Sequence, residues 1–125
     1  MIVYCCSDLI FATKIRATAE AMGVASRPAR DVEALNNRLR CVDDGKLNEP
    51  VSAVLIDLDL GEDGLALIDA IKAHDANTPV VAFGSHVATE LLQSAHDRGA
   101  DFVMPRGQFT ATLPTILERF SEADV

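Results

Sequence analysis

The sequence predicts an α/β sandwich, with one parallel sheet, right-handed crossovers and helices on both faces. Strand-like apolar runs alternate with helix-period segments along the whole chain, giving five β-α units. The third run, "VSAVLIDL" (51–58), is almost continuously apolar and β-branched, the composition of a strand covered on both faces, which makes it the centre of the sheet. A length of 125 residues suits one domain with a real core and is too short for two ordinary ones.

The first strand, "MIVYCC", ends at Ser7-Asp8, a pair suited to capping a helix. The helix after it sets Phe11, Ile15, Ala19 and Met22 on one face, and Gly23 stops it. "VASRPA" (24–29) is a weak strand, assigned to an edge because Pro28 has no N–H for a central ladder. A second helix over 31–42 carries Val32, Leu35, Leu39 and Val42 at i, i+3, i+7 and i+10, and "DDGKLNEP" (43–50) then breaks the chain. Past the central strand, Asp63 and Gly64 read as a turn and helix start. The third helix, "LALIDAIKAH", turns Leu67, Ile68 and Ile71 inward. "NTPVVAFGS" is the fourth strand, "ATELLQSAHDRG" the fourth helix and "ADFVMP" the fifth strand. A last helix over 112–120 presents Leu113, Ile116, Leu117 and Phe120 at i, i+3, i+4 and i+7.

Nineteen acidic against eleven basic residues give a formal charge of −8, the wrong sign for neutralising nucleic-acid phosphates, so no nucleic-acid partner is expected. Arg27, Arg30, Arg38 and Arg40 cluster locally but are diluted by Asp31, Glu33, Asp43 and Asp44, as on a solvated helix face. The apolar runs are far shorter than the roughly 20 residues of a membrane span, and the N-terminus has no secretory pattern, so the expectation is a cytoplasmic protein without a membrane partner. Three cysteines make no disulfide framework. Cys5 and Cys6, adjacent in a strand, point to opposite faces and cannot readily share a metal. His86 reads as a solvent-facing loop residue, while His74 and His96 sit late in their helices, where positive character suits the dipole.

In sheets of this kind, chemistry gathers outside the carboxyl ends of the strands, near the switch in strand order. Ser7, Asp8, Asp57, Asp59, Gly84, Ser85 and Arg106 all follow strands and should converge there. Three ordered landmarks, "VLIDLDLGEDGLALIDAIK" (54–72), "NTPVVAF" and "GADFVMPR" (99–106), give the chain its likeness. It resembles, over essentially its whole length, the receiver domain of two-component response regulators, the CheY-like family.

The resemblance implies a flavodoxin-like (βα)5 three-layer sandwich with a five-stranded parallel sheet in the order 2-1-3-4-5. It implies a single receiver-like domain over 1–125, with no output domain following, acting in phosphorelay signal transduction. Asp57 stands at the phosphoacceptor position, Asp8 matches one acid of the magnesium-holding pair, and Asp59 stands where a main-chain carbonyl joins the metal. The implied partners are a sensor kinase or downstream effector, on the face made by the fourth helix, fifth strand and fifth helix, about 87–119. A homodimer is also open.

Several family positions differ here. Ser7 replaces the second acid, Gly84 the hydroxyl residue, Arg106 the lysine, Gly107 the proline after it, Val103 the aromatic switch residue and Gly61 the proline of the acceptor loop. Ser85, one place beyond Gly84, is a candidate substitute hydroxyl. Losing one acid removes a formal charge from the magnesium site and leaves Mg2+ weak or absent there. Arginine is no conservative stand-in for a compact lysine charge. A structural alternative pairs Arg106 directly with Asp57, with Asp8 close by, in the place of a phosphate; carboxylates held together need some cation.

The expected protein is therefore no enzyme, beyond at most self-phosphorylation and dephosphorylation at Asp57. A second reading is a Mg-dependent DxD hydrolase or phosphatase of a Rossmann-like fold, using Asp57 and Asp59, which period-two spacing places on one face. A third, a scaffold with a redox or small-ligand input through Cys5 and Cys6, has no positive support in the sequence.

Overall fold

In the computed structural model, which describes residues 1–43, 46, 47 and 49–121, the central strand is β5 (Ala53–Asp57), buried along its whole length. It pairs in parallel with β1 (Ile2–Cys5) on one side and β6 (Val80–Gly84) on the other. β1 pairs onward with β2 (Ser26–Pro28), and β6 with β7 (Phe102–Pro105). The order β2-β1-β5-β6-β7 is the expected 2-1-3-4-5 once the strands of this sheet alone are counted. Pro28 does lie on an edge strand.

Alternation along each strand divides the core into two layers. Val3, Cys5, Val54, Ile56, Val80 and Ala82 face α2 (Val32–Leu39), α3 (Glu62–His74) and α4 (Thr89–Asp97). Ile2, Tyr4, Leu55, Val81 and Phe83 face α1 (Leu9–Ala21) and α5 (Arg106–Ser121). The stripe of α1 is only partly inward: Ile15 and Ala19 are buried, whereas Met22 is exposed beyond the last turn. Leu35 and Leu39 hold α2, and Val32 is exposed.

Three boundaries differ from the sequence reading. Val42 ends no helix; it belongs to β3 (Val42–Asp43), which pairs antiparallel with β4 (Lys46–Leu47) in a small separate hairpin. Asp44, Gly45 and Asn48 of the expected break lie outside the described residues. Gly64 does not start α3 but lies buried inside its first turns. There an added Cβ would stand 3.3 Å from the Asp57 carbonyl oxygen, so glycine lets the helix press on the end of β5.

The largest shift is in α5, which begins at Arg106 directly after β7 and continues through Pro114. Phe109 is the cause: fully buried, it stacks on Phe83 with ring centroids 3.9 Å apart and draws the first turns onto the sheet. Arg106 is thereby the first helical residue, at the carboxyl end of the sheet.

Candidate functional site

β5 delivers Asp57 to the end of the sheet, where a single 3-10 turn, Leu58–Leu60, caps it. Gly61, at φ +64, redirects the chain into α3, a left-handed conformation that glycine adopts without strain. The Asp57 side chain is fully buried. Its Oδ1 accepts the Asp59 N–H at 3.0 Å and an Arg106 Nη2 hydrogen at 2.9 Å. Oδ2 accepts the Ser7 N–H at 3.1 Å and the Ser7 hydroxyl at 2.9 Å. A carboxylate offers about four lone-pair sites, and these four donors fill them.

Arg106 Nη2 also stands 2.8 Å from Asp59 Oδ2, so one guanidinium bridges both acids of the DxD. Its central carbon lies 5.7 Å from the centre of the Phe11 ring, which packs in turn on Phe83 at 5.2 Å. Partial burial works against the charge on Arg106, but Asp57 and Asp59 outweigh it and its pKa is raised. The neighbouring Cys6 thiol is pushed up to about 12, by burial first and then by the charges of Asp57 and Asp8.

Not every expected residue joins this cluster. Asp8 caps α1, its Oδ1 accepting the Phe11 N–H at 2.6 Å, and so is held by its own helix. Ser85 Oγ accepts the Val87 N–H at 3.3 Å, a local turn bond. At Gly84 an added Cβ would meet Leu58 Cβ at 3.1 Å, so the buried Leu58 side chain fills the space beside that glycine.

One role and one contributor are absent from the sequence reading. Ser7 is expected at this end of the sheet, but not as a double donor to Asp57; a hydroxyl in place of an acid turns like-charge repulsion into attraction. Leu58 carried one signal, a large apolar residue directly after Asp57 in a chain with glycine at 84.

The donor set, as arranged, does not fit a magnesium ion. Asp57 is saturated, the Asp59 carboxylate is paired with Arg106, and Oδ1 of Asp8 is held by the helix cap. Among the described residues, no three carboxylate, histidine or cysteine side chains form a group suited to a metal. The DxD hydrolase reading finds no support, since its two carboxylates share an arginine.

No protein-family model matches the chain, and no curated protein matches it in sequence. Solved structures do. The receiver domain of NtrX from Brucella abortus is 25% identical, with 98% of each chain covered and a TM-score of 0.76. Against a longer NtrX structure from the same organism, the match is 24% identical with a TM-score of 0.77; it covers 97% of this chain but only 26% of that one. A response regulator from Thermotoga maritima, 18% identical, is covered over 96% of its length with a TM-score of 0.74. With the sheet order and these likenesses in agreement, the chain has the fold of a CheY-like receiver domain.

Proposed function

We propose that this chain is a cytoplasmic receiver-like signalling module of a phosphorelay pathway, one that acts through protein contacts and keeps Asp57 in an internal ion pair. The observation that carries this reading is the Arg106 bridge from Asp57 to Asp59. Phosphoryl transfer to a carboxylate needs a free nucleophilic oxygen in line and cations on the phosphoryl group. Here the oxygens of Asp57 are engaged, Arg106 is committed to the acids, and Leu58 occupies the space where a hydroxyl at position 84 would act. Magnesium binding is correspondingly weak or absent, and no enzymatic turnover is assigned.

The output face is that of α4, β7 and α5, about residues 87–119. β7 is an edge strand with half-buried side chains, and Val103, where an aromatic switch would stand, lines a shallow cleft of about 300 Å³ with Leu92 of α4. A sensor kinase or downstream effector is the partner class.

Intact-mass spectrometry after incubation with magnesium and acetyl phosphate tests the reading, with an ordinary receiver as positive control. The expected result is no mass gain. A single phosphate-sized gain that disappears in Asp57→Asn overturns it and makes Asp57 a working acceptor.

A further inference from the structure

Beside the acceptor loop, a cleft of about 470 Å³ opens between α1 and the segment after β2. Its size falls within the range of small-molecule sites. Tyr4 lines it from the end of β1, with its ring packed in the core and only 4% of its surface exposed. The Tyr4 hydroxyl makes no hydrogen bond to a protein group among the described residues and reaches solvent at the wall of this cleft, where it is free to donate.

Charge supplies the second observation. Although the chain is acidic by eight charges, Arg16 from α1 and Arg30 from the segment before α2 both line the cleft, and neither has an ion-pair or hydrogen-bond partner among the described residues. The one acid in the lining is Asp8, whose Oδ1 is taken up by the helix cap. Between these polar groups, Ala12, Pro28 and Ala29 give an apolar wall.

We propose that this cleft binds a phosphorylated small molecule of mononucleotide size, its phosphate on Arg16 and Arg30 and its body against the apolar wall, with Tyr4 donating to it. Guanidinium groups suit phosphate oxygens because their planar forks donate in pairs. The site is separate from the Arg106 cluster but adjoins it, since Ser7 lines the cleft while its hydroxyl holds Asp57.

Backbone amide NMR titration of the intact chain with AMP, GMP, CMP and UMP tests this, with inorganic phosphate and the corresponding nucleosides as controls. Saturable shifts are expected at Tyr4, Thr13, Arg16 and Arg30 for at least one nucleotide, at lower concentration than for either control. Arg16→Gln with Arg30→Gln, both at exposed positions, should weaken binding by about tenfold or more, and Tyr4→Phe, which keeps the ring, by about fivefold. No saturable shift with any of the four overturns the proposal. So does inorganic phosphate or a nucleoside binding as tightly as its nucleotide, or an unchanged affinity in the arginine double variant. The readout is binding alone, so its outcome is independent of whether Asp57 accepts a phosphate.

Discussion

Asp57 carries a charge with no access to water, and its neighbours are arranged around that fact. Burying an isolated carboxylate is prohibitive, so the site supplies two backbone N–H groups, a hydroxyl and a guanidinium. Ser7 and Arg106, the two departures closest to Asp57, each add a side-chain donor to it. Removing the cation should therefore be costly: Arg106→Leu is expected to destabilise the fold by about 2 kcal/mol, less than for a fully buried pair because the guanidinium is partly exposed. Adding Asp57→Asn to that variant removes the uncompensated charge and should recover most of the loss. Urea unfolding of the two single variants and the double variant measures the coupling; additive losses would mean that the pair does not act as a unit.

At the scale of elements, the 3-10 turn after β5 and the end of β6 fit together as bulk against absence of bulk. Leu58 is buried and Gly84 makes room for it. Restoring a hydroxyl with Gly84→Thr alone should fail, since the new Cβ would stand 3.1 Å from Leu58 Cβ. The expected cost is about 1–3 kcal/mol, the range for overpacking a closed core. Pairing it with Leu58→Ala should return part of that loss, which thermal unfolding of both variants would reveal as a higher Tm for the double variant. The same logic of space explains the early start of α5. Its helical periodicity is visible from Leu113 onward, but Phe109 extends the helix back to Arg106 because Phe83 offers it a stacking partner across the sheet. Phe109 stands four residues before Leu113 on the same buried stripe, so the first turns of α5 continue the pattern seen from Leu113 to Phe120.

For the whole molecule, two core layers on one sheet bury three groups that ionise only at high pH. Burial pushes the Cys6 thiol from 9.0 up to about 12 and raises Cys5 further, and the Tyr4 hydroxyl is raised from 10.0 chiefly by the same cause. Unfolding releases these protons, so the folded state binds more of them above pH 9, and stability should be flat with respect to these groups below that value and fall above it. Each group that responds fully contributes a slope of about 1.4 kcal/mol per pH unit. Urea unfolding from pH 8 to pH 10.5 should show the decline, and Cys6→Ala should lessen it; a flat profile would mean that these groups are hydrated in the fold. The alternation of strands and helices, the central place of 51–58, the edge place of Pro28 and the gathering of Asp57, Asp59 and Arg106 at one end of the sheet were all legible in the sequence, because each follows from periodicity along the chain or from topology. The capping of α1 by Asp8 was legible too, whereas the double hydrogen bond from Ser7, the filling of the Gly84 space by Leu58 and the open cleft at Tyr4 were decided only by the tertiary structure. Those depend on distances of about 3 Å between residues remote in sequence, and neither residue of such a pair carries the other's position in its own local pattern.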